Sequence, residues 1–97
     1  AYILAELRRE AAALSPSPRI GHYRSAGGVE VDIVIEDARG QCVAIEVKAT
    51  HSLGEKHYSG LKDLQAGLGE RFACGVVIYG GRERLRFGER LWAVGVG

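Results

Sequence analysis

Residues 29–36 carry a β-branched side chain at every second position, the pattern of a strand with one buried face. Residues 41–49 are similarly rich in branched hydrophobic side chains, and a glycine lies in the segment between the two. A loop over residues 38–40, with that glycine in the left-handed conformation, is a common hairpin geometry. The pattern therefore predicts an antiparallel hairpin in which Asp37 lies opposite Gln41.

This register brings charged residues together on one face of the hairpin. Asp32 falls opposite Glu46, and Glu30 falls opposite Lys48, with all four side chains on the same side because strand side chains alternate. The other face is predicted to be a hydrophobic core. Its members are Val31, Ile33, Ile35, Val43, Ile45 and Val47. A shorter loop would oppose Asp32 to an isoleucine and scatter the charges, so the hydrophobic pattern favours the longer loop.

The opposed pair Asp32 and Glu46 is the main functional signal of the hairpin. Two carboxylates that face each other across a sheet destabilise it, and a divalent cation between them reverses the sign of the interaction. Such oxygen ligands suit Mg²⁺ or Mn²⁺. Lys48, on the same face, is expected to stabilise charge on a phosphoryl oxygen or to help activate an attacking water. The alternative is a solvated polar face with an ordinary Glu30–Lys48 ion pair.

The remaining segments predict one α/β domain over residues 1–97. An amphipathic helix is expected over residues 1–14, and the prolines that follow it end the helix. Further strands are predicted over residues 19–25, 72–79, 84–87 and 91–96. The order is helix, three strands, helix, strand and a small β extension. Because a helix connects the third strand to the fourth, we expect at least one parallel pair in a mixed central sheet.

The second helix has its own start and stop signals. Ser52 and Glu55 have the spacing of a capping box, with Ser52 as the first cap residue. The helix is predicted to end near Gly69, since glycine is favoured at that position. Gly60 and Gly67, inside the helix, indicate that it approaches the sheet closely.

Charge and cysteine content set broad limits on function. Lysine and arginine number 13 against 12 acidic residues, so a net charge of +1 gives no global attraction to nucleic acid or membranes. Cys42 and Cys74 form no C-x-x-C pair and are predicted to be buried thiols in a reducing cytoplasm. No segment has the pattern of a membrane span or a signal peptide. Because the chain lacks methionine, we expect it to be a piece of a larger protein.

Basic and titratable side chains outside the hairpin each have two interpretations. Arg82, Arg84 and Arg86 form a basic stripe if their segment is extended. The stripe suits a phosphate backbone, and a solvated edge strand guarded by charge explains it equally well. His51 follows the second hairpin strand, so it is either close to the carboxylates or simply exposed in a loop.

Several segments resemble known families. Asp32 together with Glu46-Val47-Lys48 resembles the D…E-x-K signature of the PD-(D/E)XK nuclease-like superfamily, and the order of elements resembles its restriction-endonuclease-like core. Four segments resemble a narrower group more closely, and they cover residues 22–24, 28–32, 44–49 and 87–93. This group is the conserved C-terminal domain, of unassigned function, found in prokaryotic AAA-type ATPases.

The resemblance implies roles for individual residues. Asp32 and Glu46 correspond to the superfamily's metal-binding acids, and Lys48 corresponds to its catalytic lysine. Glu6 corresponds to the acid on the first helix, where the ordinary alternative is a solvated helix flank. Mg²⁺ or Mn²⁺ is the implied cofactor.

The resemblance also implies a substrate and a partner. The implied activity is hydrolysis of phosphodiester bonds in nucleic acid, with DNA the expected substrate. Lys62 or Gln65 matches a Lys or Gln that the superfamily often places on the second helix, and Lys62 with the arginine stripe is a candidate nucleic-acid contact. In full-length members an ATPase domain precedes this one, and no G-x-x-x-x-G-K-[ST] motif occurs here. The alternative is a catalytically inactive accessory domain of such an ATPase that binds nucleic acid or a protein.

Overall fold

The computed structural model describes residues 18–24 and 30–97, and within them six strands form one mixed sheet in the order β1-β2-β3-β4-β6-β5. The strands are β1 (Arg19–Arg24), β2 (Glu30–Glu36), β3 (Cys42–Val47), β4 (Phe72–Tyr79), β5 (Arg84–Gly88) and β6 (Leu91–Gly95). Helix α1 (Ser59–Leu68) connects β3 to β4. The predicted α/β class and mixed sheet are thereby confirmed. The helix predicted over residues 1–14, which includes Glu6, lies outside the described residues.

The β2–β3 hairpin has the predicted register. The amide of Asp37 donates to the carbonyl of Gln41 at 2.9 Å, and Gly40 has a left-handed φ of 85°. The Asp37 carboxylate also accepts a hydrogen bond from the Gln41 amide at 3.0 Å, which fixes the turn further. Ile33 consequently lies opposite Ile45.

A β-bulge in β2 changes one of the predicted faces. Gly21 pairs with Val34 and Tyr23 pairs with Val31, so one residue of β1 lies opposite two residues of β2. The extra residue turns Val31 to the face that α1 covers, where its side chain is 1% exposed. The prediction that Val31 belongs to the opposite face is therefore wrong.

Helix α1 packs its hydrophobic side on the sheet. Leu61 and Leu64 are buried there. The core around them consists of Val31, Ala44, Tyr58, Phe72, Val77, Tyr79, Leu91 and Ala93. The helix ends where predicted, because Gly69 has a left-handed φ of 58°.

The start of α1 lies further along the chain than the capping pattern predicts. Ser52 does not cap a helix, and α1 begins only at Ser59, after a 3₁₀ turn over Glu55–His57. Thr50 accounts for the difference. Its carbonyl accepts the amide of Gly80 at 2.7 Å, and its hydroxyl donates to the carbonyl of Ser52 at 2.8 Å. These bonds hold the segment in a turn beside the end of β4, which competes with helix formation.

The C-terminal strands extend the main sheet. β4 pairs in parallel with β3 on one side and with β6 on the other, which confirms the predicted parallel pair and adds a second. β5 pairs antiparallel with β6 and forms an edge of the sheet. Leu91 and Ala93 of β6 are buried in the core, so this hairpin contributes directly to it.

Both cysteines are packed side chains. Cys42 is buried and Cys74 is half-buried, and neither forms a disulfide. Burial raises the pKa of each thiol, which makes both poor nucleophiles at neutral pH.

No helix within residues 18–24 and 30–97 has the length and apolar character that crossing a bilayer requires.

Candidate active site

Asp32 and Glu46 lie side by side where the β2–β3 ladder ends. The backbone pairing of β2 with β3 ends at Ile33 and Ile45. Beyond this pair, the two strands are joined by hydrogen bonds between backbone amides and carboxylate side chains. The Asp32 amide donates to Glu46 Oε1 at 3.3 Å, and the Val47 amide donates to Asp32 Oδ2 at 3.0 Å. Each carboxylate is thus anchored by a backbone amide of the neighbouring strand, and the two acidic groups are held together.

Glu46 is buried, whereas Asp32 is exposed. Only 4% of Glu46 is accessible, because its side chain points to the face that α1 covers. Burial, the hydrogen bond with the Asp32 carboxyl group and the negative charge of Asp32 raise the pKa of Glu46 to about 7, with Lys48 acting in the opposite direction. A cation between the two acids would favour the ionised form of both.

Lys48 follows at the end of β3. Its amide donates to the carbonyl of Ile78 in β4 at 2.8 Å, which extends the parallel pairing beyond Val47 and fixes the backbone. The Lys48 charge is close enough to lower the pKa of Glu46. The site therefore combines a buried carboxylate, an exposed carboxylate and a nearby ammonium group.

The first turn of α1 covers the Glu46 carboxylate. A β-carbon at Gly60 would lie 3.3 Å from Glu46 Oε2 and would overlap the carbonyl oxygen of Glu30. Gly67, further along the same helix, is exposed and has nothing within 4 Å of its β-carbon position. The predicted close approach of helix and sheet is confirmed at Gly60 and is wrong at Gly67.

The whole chain matches one protein family. A family model described as a domain of unknown function (DUF4143) matches residues 1–97. The chain belongs to the DUF4143 family. Searches of curated proteins and of solved structures found no match to it. Because the family description assigns no activity, the function of this DUF4143 domain has to be inferred from its site.

Few acidic side chains lie close enough together to bind a metal in the described part of the DUF4143 domain. Within the described parts of the chain, no three His, Cys, Asp or Glu side chains cluster as a metal site made only of protein ligands needs. Asp32 and Glu46 provide two carboxylates, which suits Mg²⁺ because this ion keeps several waters and takes substrate phosphate as a further ligand. Glu6, the third expected acid, lies outside the described residues.

Two side chains considered for this site are engaged elsewhere. Glu30 lies opposite Arg24 and accepts its Nε–H at 2.8 Å, so the predicted Glu30–Lys48 pair is wrong. The bulge explains the change, since it turns Val31 towards α1 and the residue before it to the other face. The side-chain amide of Gln65 donates to the carbonyl of Glu89 at 2.8 Å, which ties α1 to the C-terminal hairpin.

The predicted nucleic-acid contacts occupy separate surfaces. Lys62 lies on the exposed side of α1 and pairs with Glu55 at 3.4 Å. Arg84 and Arg86 are exposed in the edge strand β5, and Leu85 between them packs against the core under α1. By strand alternation, the two arginines face the other side of the sheet from Glu46.

Arg82 lies before β5 and lines a cavity of about 400 Å³ at the carboxyl end of β4. His51 lines the same cavity, with its Nδ1 held 3.0 Å from the carbonyl oxygen of Gly80. Tyr58 and Tyr79 complete its aromatic wall. This cavity could not be predicted from the sequence. The two tyrosines occupy ordinary core positions, and their segments come together only in the folded chain.

Proposed function

We propose that this DUF4143 domain is a metal-dependent nuclease that hydrolyses phosphodiester bonds of nucleic acid, with DNA as the substrate. The observation that carries the proposal is the pairing of Asp32 and Glu46 at the end of β3, where each carboxylate accepts a backbone amide from the strand of the other acid and the Lys48 charge acts on Glu46. We further propose that the domain has a restriction-endonuclease-like core and is joined to an AAA-type ATPase domain in the full-length protein.

The donor set fits Mg²⁺ or Mn²⁺. Asp32 uses Oδ2, and Glu46 uses Oε1, to accept a backbone amide, and a carboxylate keeps further lone pairs with which it can bind a cation. The raised pKa of Glu46 indicates a carboxylate whose charge the protein alone does not compensate. Asp32 and Glu46 would hold the metal, which supplies Lewis-acid stabilisation of charge on the phosphoryl oxygens when bound.

The protein groups have distinct tasks in this scheme. The backbone amides that bind Asp32 and Glu46 orient both carboxylates before substrate arrives, so little reorganisation is needed. The Lys48 ammonium lies on the same face of the strand as the Glu46 carboxylate. There it can stabilise negative charge on the scissile phosphate or orient the attacking water. The first turn of α1 excludes water from one side of Glu46, which strengthens electrostatic interactions there.

The topology supports the proposed restriction-endonuclease-like core. Strands β1, β2 and β3 form an antiparallel meander, and α1 then crosses to the parallel strand β4. In this arrangement the acids come from neighbouring strands, at the end of the hairpin that lies furthest from its turn. The segment before β1, where the resemblance expects a helix bearing Glu6, lies outside the described residues.

A second candidate function is a non-cleaving accessory domain of an ATPase that binds nucleic acid or a protein. Two observations favour it. The net charge is only +1, which gives little long-range attraction to a phosphate backbone. The exposed arginines Arg84 and Arg86 lie on the other side of the sheet from the carboxylates, so they form no continuous basic path to Glu46.

A cleavage assay on labelled DNA separates the two functions. The 97-residue chain is incubated with Mg²⁺, with Mn²⁺ or with EDTA, and compared with Glu46→Ala, Lys48→Ala and the control Glu70→Ala, whose exposed side chain lies at the opposite end of α1. A nuclease should cut only with metal, lose activity in the first two variants and keep it in the control. Cleavage that survives Glu46→Ala would come from another site or a contaminant.

The same assay on the full-length parent, with and without ATP, tests the proposed ATPase connection. Metal-independent DNA binding without cleavage by any form of the wild-type protein would support the accessory function instead. Salt dependence of that binding would then report how many phosphates the domain contacts.

A further inference from the structure

Gly60 occupies an unusual place for a helix residue. It belongs to the first turn of α1 and is buried where the helix crosses β2 and β3. Its β-carbon position would overlap the carbonyl oxygen of Glu30 and lie 3.3 Å from both Glu46 Oε2 and Val31 Cγ2. Three neighbours from two strands therefore close the space that a side chain would need.

Helix geometry alone does not require a glycine at this position. Gly60 has no left-handed φ, and glycine is a poor helix former relative to alanine. Gly67 lies in the same helix with nothing near its β-carbon position, so it provides a direct comparison. The difference between the two positions is the contact of Gly60 with the strands that carry Asp32 and Glu46.

We infer that Gly60 is a positioning residue for the Glu46 carboxylate, an inference that rests on the proposed function. By lacking a side chain, it lets the first turn of α1 lie against the Glu46 oxygen, which fixes the orientation of this metal-binding group. A methyl group at position 60 forces α1 away from the Glu30 carbonyl and pushes Oε2 from its place. Changes in the partners of metal ligands typically weaken metal affinity about 10- to 100-fold.

The variants Gly60→Ala and Gly67→Ala form a matched test within one helix. Mn²⁺ affinity of each 97-residue chain is measured by the relaxation of water protons, after circular dichroism has established that the protein is folded. We expect Gly60→Ala to weaken Mn²⁺ binding about tenfold or more and Gly67→Ala to change it less than about twofold. A folded Gly60→Ala protein that is merely less stable, with wild-type Mn²⁺ affinity, would overturn the inference.

A measurement on the wild-type protein decides the case in which Gly60→Ala does not fold. Bound Mn²⁺ broadens the NMR signals of amides more strongly the closer they lie, so substoichiometric Mn²⁺ should broaden the Gly60 and Asp32 signals more than that of Gly67, which lies about 10 Å further along the helix. Broadening at Asp32 without broadening at Gly60 would mean that the helix does not lie near the metal. That result would refute the inference about Gly60 and leave the proposed function standing. If wild-type chain shows no Mn²⁺ binding, the proposed function fails, and the inference fails with it.

Discussion

Replacing Glu46 by glutamine should remove a pH dependence from the stability of this domain. Glutamine has the size of glutamate, and its side-chain oxygen can still accept the Asp32 amide that Glu46 Oε1 binds at 3.3 Å. What it lacks is the charge, which burial and the neighbouring Asp32 make unfavourable in the folded state. The substitution therefore isolates the free-energy cost of ionising one buried carboxylate.

The size and sign of the effect follow from the pKa of Glu46. It rises from 4.5 to about 7 on folding, so the folded state binds this proton more tightly than the unfolded state does. The resulting stabilisation is fully present below pH 4.5 and is lost as the pH rises through 7. At about 1.4 kcal/mol per pKa unit, the loss amounts to at most about 3 kcal/mol.

Urea unfolding followed by circular dichroism, from pH 4.5 to 8.5 in EDTA, measures the effect. The free energy of unfolding of Glu46→Gln minus that of wild type should be near zero at the acid end and rise by up to about 3 kcal/mol at the alkaline end. Glu70→Gln, at an exposed glutamate, should give a flat difference. If the free energies of unfolding of wild type and Glu46→Gln change with pH in the same way, burial does not raise the pKa of Glu46 and the reasoning is refuted. Adding Mg²⁺ at pH 8 should stabilise wild type much more than the variant.

Three further substitutions are expected to have defined effects. Asp32→Asn should leave the free energy of unfolding at pH 8 without metal unchanged or higher, because it removes repulsion with Glu46 and keeps an oxygen that accepts the Val47 amide. A marked loss of stability in urea unfolding would indicate that Asp32 belongs to a structural network. Gly75→Ala should lower the free energy of unfolding by about 1–3 kcal/mol, because its methyl group would lie 2.8 Å from the Phe72 ring; an unchanged urea midpoint would contradict this packing. Arg86→Ala should leave the affinity for Mn²⁺ unchanged, because this side chain lies on the other side of the sheet from Glu46. If the substitution makes DNA binding weaker and less dependent on salt, Arg86 contacts phosphate.

The hairpin could be predicted from sequence because its determinants are local. The loop is set by Asp37 and by the left-handed Gly40, and the alternation of side chains then fixes which residues face each other. That register brings Asp32 and Glu46 next to each other just beyond the Ile33–Ile45 pair, where bonds between carboxylates and backbone amides hold them. The parallel pairing of β3 with β4 was similarly accessible, because a helical crossover leaves few other arrangements.

The bulge in β2 could not be predicted, because it depends on how β2 pairs with β1 and not on the alternation of side chains within β2 itself. Two residues of β2 lie opposite a single residue of β1. As a result, the side chains of Val31 and Glu30 lie on the opposite faces of the sheet from those that regular alternation predicts. The predicted face of charged residues is consequently divided. Glu46 is buried beneath α1, while Glu30 pairs with Arg24.

The start of α1 shows the same limit for local signals. Ser52 and Glu55 match a capping box, yet the bond between Thr50 and Gly80 joins this segment to the end of β4. A tertiary hydrogen bond thus overrides a sequence pattern whose own contribution is about 1 kcal/mol. Gly60 shows how the two kinds of information combine, since its presence in a helix signals a close approach but does not identify Glu46 as the group approached.

The connection of β3 to β4 through α1 sets the order in which the site forms during folding. The β2–β3 hairpin closes a short loop, an event that takes about 1–10 μs in isolated hairpins. The parallel pairing of β3 with β4 must wait for the crossover, and such non-local contacts form more slowly. We therefore expect Asp32 and Glu46 to meet while Glu46 is still in contact with water. We expect the carboxylate pair to be accessible to the proposed metal before the hydrophobic core is complete.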